Sequence, residues 1–185
     1  VRQLASQRRV FEGSRSRAVS DLAMTEGRIK QYEAALPDAE RAAAKVEDLS
    51  GDKFKVVVNG KEFADRKEAG KEILDAMLDR PAHSYYTPKR VNLESEMSGF
   101  HMEMALQARY GDGAAYLAGT PLVQDANGKT YSGTSEIVFN EHTDPAGIMR
   151  RFENLLKNVA LEPERIERVL KEERTNLPRI QKMVG

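Results

Sequence analysis

Residues 53–74 read KFKVVVNGKEFADRKEAGKEIL, and this stretch decides the fold class. Phe54, Val56 and Val58 alternate with Lys53, Lys55 and Val57, the period of a strand with one buried face. Asn59-Gly60 follows, the pair that a two-residue hairpin favours because both of its central residues need positive φ. The spacing predicts strands over 53–58 and 61–64. Asp65 then opens a helix, with Glu68 at capping-box spacing. Ala69, Ile73, Ala76 and Met77 form its apolar face, and the helix ends before Pro81. Gly70, inside that helix, is expected to let it approach the sheet closely. A hairpin running straight into an amphipathic helix is the signature of an α+β domain.

Working toward the C-terminus, residues 81–89 read as a loop. Strands are predicted over 90–97 and 100–108, joined at Ser98-Gly99. Phe100, Met102, Met104 and Leu106 alternate with His101, Glu103 and Ala105, again a sheet with one buried face. Gly111-Asp112-Gly113 is a further turn. Residues 114–123 and 129–139 read as another hairpin around Asp125–Gly128, made irregular, and placed at an edge, by Gly119, Pro121 and Gly133.

Two helical regions flank this sheet. From Ala18 a seven-residue repeat places Ala18, Thr25, Tyr32, Ala39 and Val46 at one seam position. Leu22, Ile29, Leu36 and Ala43 occupy the other. Leu4 and Phe11 extend the first series upstream, but Arg8 and Arg15 fall on the second, and Gly13 weakens the helix. The first turns are therefore expected to fray or to belong to a preceding element. Pro37 predicts a kink or a short break, and the seam keeping its register across it favours the kink. Asp144-Pro145 opens the last region, with Asp as N-cap and Pro at the first helical position. Ile148, Phe152, Leu155 and Val159 carry its apolar face. After an expected break near Glu162-Pro163 come Ile166, Val169, Leu170, Leu177 and Ile180. The fold expected is α+β, a mostly antiparallel sheet flanked by long amphipathic helices that form an antiparallel coiled-coil-like pair. Leu22, Ile29 and Leu36 would face Ile148, Phe152, Leu155, Ile166 or Val169. The segments are 1–50 (coiled-coil helix), 51–143 (sheet with one inserted helix) and 144–185 (helices packing back on the first), as one structural unit.

The 185 residues hold 29 Lys plus Arg against 29 Asp plus Glu, so the net charge of zero does not describe a strongly basic nucleic-acid module. There is no cysteine, hence no disulfide framework and no thiolate zinc site, which is compatible with a reducing cytoplasm. No apolar run approaches the roughly 20 residues needed to span a bilayer, and no membrane partner is expected. The N-terminal arginines lead into no apolar stretch of a signal peptide. The chain starts at Val1 and reads as a segment of a longer polypeptide.

No motif for catalysis, a cofactor or a metal stands out. His83, His101 and His142 form no pair at ligand spacing. Glu94, Glu96 and Glu103 could share a sheet face as acid–base or divalent-metal carboxylates, but with 29 acids such groupings arise by chance. There is no Walker lysine motif, no GxGxxG and no GxSxG. The basic residues are locally clustered. Five arginines and one acid, Glu12, lie in residues 1–17, three lysines sit on the first hairpin, and Arg150-Arg151 opens the last helical region. Arg8, Arg9, Arg15, Arg17, Lys53, Lys55, Lys61, Arg150 and Arg151 are the candidate phosphate contacts. Tyr85-Tyr86, in a loop, could stack on a base or pin that loop.

Two stretches together resemble a known family. They are DKFKVVVNGKEFADRKEAGKEIL (52–74) and DPAGIMRRFENLLKNVALEPERIERVLKEE (144–173). Their order, with Gly99-Phe100 between, resembles the C-terminal region of very large phage- and plasmid-encoded polypeptides. Those combine an adenine-specific DNA methyltransferase-like part with a Swi/Snf-type helicase and are linked to protecting mobile DNA from restriction. The matching residues are Asp65, Arg66, Glu68, Ala69 and Gly70, and Asp144, Pro145, Gly147, Arg151, Glu153 and Asn154. The resemblance implies that the methylase and helicase motifs lie upstream, that no catalytic residue falls here, and that this segment works inside a larger machine. The expected function is a non-catalytic accessory domain that positions DNA or other parts of the polypeptide. The alternative is a protein-interaction or dimerisation module with a coiled-coil arm. The expected partners are DNA and the upstream domains of the same polypeptide.

Overall fold

A computed structural model describes residues 2–185. Helix α1 spans Arg2–Lys45, helix α2 Arg66–Leu78 and helix α3 Pro145–Val184. Between them lie strands β1 (Val56–Val58), β2 (Lys61–Phe63), β3 (Lys89–Met97), β4 (Phe100–Gly111), β5 (Ala114–Gln124), β6 (Thr130–Ser132) and β7 (Ile137–Phe139). The chain divides into two units. Of the described residues, one comprises 2–41 and 161–185, the other 42–160. None of the helices is long and apolar enough to cross a membrane, among the described residues.

The sheet belongs to the second unit and is antiparallel at every pairing, in the order β2-β1-β3-β4-β5-β6, with β7 also on β5. Its three tight hairpins close at Asn59-Gly60, Ser98-Gly99 and Asp112-Gly113. All six residues have positive φ, between 50° and 79°. That is the condition of the primed turns, whose twist matches the strands they join.

Where the ladder departs from regularity, local chemistry explains it. Between Asn92 and Ser95 the β3–β4 register shifts. Glu94 there takes φ +51°, its N–H donating to the Asn92 side-chain oxygen at 2.8 Å while its carbonyl accepts from Asn59 N–H. The buried Ser95 hydroxyl donates to the Leu93 carbonyl, so the bulge satisfies its own polar groups. The segment expected as one strand over 129–139 is two strands, β6 and β7, both on the outer edge of β5. Pro121 faces that edge. Its carbonyl accepts from Gly133 N–H at 2.9 Å, but it has no N–H to return, so the edge ladder breaks opposite it. The first strand is likewise shorter than expected, because residues 51–53 form a 3-10 turn.

The alternating residues do build the core. Phe54, Val56, Val58, Phe100, Met102, Met104 and Leu106 are buried together with Ile73, Met77, Ile148, Phe152 and Leu155. In α2, Leu74 is buried where Ala76 had been expected, and Ala76 is exposed. Asp65 caps α2 by accepting from Lys67 N–H at 2.8 Å, and Asp144 caps α3 through Ala146 N–H at 3.2 Å. The close approach at Gly70 is to the backbone of Pro145 at the start of α3, not to the sheet. A Cβ on residue 70 would lie 1.8 Å from the Pro145 carbonyl oxygen. Beside it Arg66 makes a bidentate pair with Glu153 at 2.6 and 3.1 Å, donates to the Leu49 carbonyl and lies over the Phe54 ring. That pairing with Glu153 raises the Arg66 pKa further above its ordinary value.

In the first unit α1 and α3 form the antiparallel pair. Ile29 and Ala39 pack with Ile166 and Leu170, flanked by Tyr32, Leu36 and Leu177. Arg28 pairs with Glu173 at 3.1 Å and Arg174 with Glu33 at 2.8 Å. The nine seam positions from Ala18 to Val46 are all buried or half-buried, with Ala35 and Ala42 beside them and Val46 one residue past the end of α1. The partners of that seam differ from expectation in one respect. Ile148, Phe152 and Leu155 cover the sheet, so only Ile166 and the residues beyond it serve Ile29 and Leu36. The expected break near Pro163 does not occur, since α3 continues through Pro163 and Pro178, and α1 continues through Pro37 without a break. An interior proline costs about 3 kcal/mol. Each fully buried large aliphatic side chain returns about 1.5–3 kcal/mol, and both prolines have buried residues on either side: Ile29 and Ala39 about Pro37, and Val159 and Ile166 about Pro163. The first turns of α1 do not leave the helix either, and every residue from Arg2 to Arg17 is helical and exposed.

Candidate nucleic-acid interface

The nine candidate cations fall into two groups with different surroundings. In the second unit most are engaged. Lys53 pairs with Asp48 at 3.1 Å, Lys55 with Glu62 at 3.5 Å and Arg150 with Asp144 at 3.5 Å. Arg151 is not a surface cation awaiting a ligand. Its guanidinium donates to the Ser135 hydroxyl and to the carbonyls of Ser135 and Glu136, fixing the segment between β6 and β7. Lys61, in the edge strand β2, has no acidic partner among the described residues. Exposed lysine pairs at these distances are worth at most about 1 kcal/mol, which a phosphate has to offset before it draws on Lys53 or Lys55.

In the first unit the setting is different. Arg8 pairs with Glu12 one turn on, at 3.0 Å. Arg2, Arg9, Arg15 and Arg17 have no acidic partner among the described residues. Residues 2–17 thus form a helical arm with five arginines and one carboxylate, exposed along its whole length. At 100° per residue, Arg2 and Arg9 share one face and Arg8 and Arg15 another, with Arg17 between the first face and Val10. The seam continues into the arm as Leu4 and Phe11, which are 71% and 69% exposed. An arm of this composition can offer guanidinium donors to phosphates or an apolar stripe to another helix.

The two tyrosines of the loop part company. Tyr85, at the end of a 3-10 turn over Ala82–Tyr85, is buried, accepts from Arg80 at 2.5 Å and lies under Lys89. Tyr86 is exposed and stacks on Tyr110 of β4, the ring centroids 5.9 Å apart and the planes 10° from parallel. Tyr110 was not singled out from sequence. It continues the inward alternation of β4 past the end of the core, and only the turn that brings Tyr86 over it gives it a partner. The neighbouring Tyr86 hydroxyl pushes the Tyr110 phenol up.

The carboxylates Glu94, Glu96 and Glu103 do not converge. Glu103 pairs with Arg90, Glu96 lies 3.6 Å from His101, and Glu94 sits in the bulge. Among the described residues no three His, Asp or Glu side chains are grouped as a metal would need. His142 lies beside Glu141 on an exposed loop, and His83 is in the 3-10 turn. The residues of the two stretches quoted above meet in space and hold the fold together, through Arg66 with Glu153 and through Gly70 against Pro145.

No protein-family model, no curated protein and no solved structure matches the chain.

Proposed function

We propose that this chain is a non-catalytic accessory module that positions DNA within a larger polypeptide of the methyltransferase-like and Swi/Snf-type helicase kind. Its principal contact is the helical arm of residues 2–17. The observation that carries the reading is the arm itself, a helix exposed on every side, with Arg2, Arg9, Arg15 and Arg17 unpaired. Among the described residues four of the arm's five guanidinium groups have no acidic partner, while most of the other candidates are engaged in internal pairs. Guanidinium groups on an open helix neutralise phosphates without reading bases, so binding is sequence-independent and falls steeply with salt.

The test is a gel shift with duplex, single-stranded and forked DNA at two salt concentrations, comparing the wild type with an Arg9, Arg15, Arg17→Ala variant. Each lost phosphate contact lowers the salt slope by about one unit, so the variant should lose about three. A wild type that does not bind duplex at low salt, or a variant with the full slope, removes the DNA role. A second reading is supported by Leu4 and Phe11, whose exposure on the continued seam suits a coiled-coil strand without its mate. In that case the arm docks on a helix of another domain, and Leu4, Phe11→Ser abolishes the association while the arginine variant only slows it.

A further inference from the structure

We infer that the Tyr86–Tyr110 pair is a stacking platform for the bases of single-stranded DNA, a second contact separate in residues from the arm. The inference rests on the reading of this chain as a DNA-positioning module and adds to it the form of DNA recognised. Tyr110 is 71% exposed and Tyr86 54%, although each already covers one face of the other. An aromatic ring left this open in water is a surface awaiting another flat apolar one.

The platform is held on rigid parts. Tyr110 belongs to the longest strand, paired with β5 at Ala115. Tyr86 follows directly on Tyr85, which is buried and anchored by Arg80. Rings fixed in this way lose little freedom on binding. Three residues beyond Tyr86 is Lys89, exposed and without an acidic partner among the described residues, its ammonium over the Tyr85 ring at 6.0 Å from the centroid. A planar face followed along the chain by such a cation suits a nucleic-acid strand, in which base and phosphate repeat. In a duplex both faces of a base are covered by its neighbours, so the platform selects unpaired bases.

The chain has six tyrosines and no tryptophan, so its intrinsic emission is tyrosine emission, and the platform's share of any quenching is the part lost in Tyr110→Leu. Titration with a short oligothymidylate should quench the emission of the wild type. The Arg9, Arg15, Arg17→Ala variant should be quenched as well, since its platform is intact. Tyr110→Phe keeps a ring at the position and should retain the affinity for the oligonucleotide, read by anisotropy of a labelled strand. Tyr110→Leu should weaken it by about tenfold, the loss expected for one stacked base, while duplex binding stays as in the wild type. Thermal melting of Tyr110→Leu checks that this exposed position leaves the fold intact. Absence of quenching in the wild type, or equal oligonucleotide affinity for Tyr110→Leu and Tyr110→Phe, overturns the platform. The two readings fail separately, because loss of the arm removes duplex binding and loss of the platform removes only the preference for unpaired bases.

Discussion

At the residue scale, conformation and space set what two glycines do. Gly60 has φ +79° and open space where a Cβ would project. A β-branched side chain there meets no neighbour but resists the left-handed backbone, so Gly60→Val should cost about 1 kcal/mol or more. An unchanged melting temperature would contradict the turn. Gly70 is the opposite case, with ordinary helical backbone and no space. Alanine gains about 1 kcal/mol of helix propensity, but its Cβ would sit 1.8 Å from the Pro145 carbonyl oxygen. Backbone cannot swing aside as a side chain can, and overpacking costs about 1–3 kcal/mol or more. Gly70→Ala should therefore lower the melting temperature, and a rise would mean that α2 does not rest on the start of α3.

A third residue-scale prediction concerns Asp48. The Ser50 hydroxyl and N–H, at 2.7 and 3.0 Å, and then Lys53 hold its carboxyl well below the usual carboxylate range. A depressed folded pKa gives stability that is complete above the unfolded value of about 4 and is lost as the pH falls below it. Ser50→Ala should raise the Asp48 carboxyl toward its ordinary value in an NMR titration and flatten the acid limb of stability against pH. A titration curve unmoved by Ser50→Ala would refute the assignment of cause.

At the element scale, α1 and α3 are held by a seam rather than by propensity. Their prolines should break them, and the seam carries them through. Ile29 packs on Ile166 and Leu170, so Ile29→Asp exchanges buried apolar area for a charge. The lost burial alone is about 1.5–3 kcal/mol, and the desolvated carboxylate adds to it. The variant should lose helical signal in circular dichroism without losing the sheet core, which draws on neither partner of Ile29. Light scattering tests the topology at the same time. A wild-type dimer that Ile29→Asp converts to a folded monomer would place the seam between chains instead of within one.

At the scale of the whole molecule, zero net charge hides an uneven distribution among the candidate cations, because ion pairs engage Lys53, Lys55 and Arg150 in the sheet unit but only Arg8 in the arm. A Lys53, Lys55, Lys61→Ala variant should therefore change the salt slope of duplex binding by about one unit at most, against about three for the arm variant. A larger effect from the lysines would move the DNA contact to the first hairpin.

The sequence by itself determined what depends on neighbours along the chain. The φ-positive turn at Asn59-Gly60, the caps at Asp65 and Asp144, the alternation of Phe100 to Leu106 and the seam from Ala18 to Val46 are all local patterns, set by backbone sterics and by the periods of strand and helix. The tertiary structure alone decided what depends on residues far apart in sequence. Pro163 looked like a break because its cost is local, whereas the burial that outweighs it is supplied by residues far away in sequence. Gly70 gave no sign of which backbone it admits, and Arg66 none of its reach to Glu153. Tyr110 became half of an exposed stack only when the turn after α2 laid Tyr86 over it. Of the cations, composition showed the clustering, but which of them stay free was fixed by the acids that folding brought within reach.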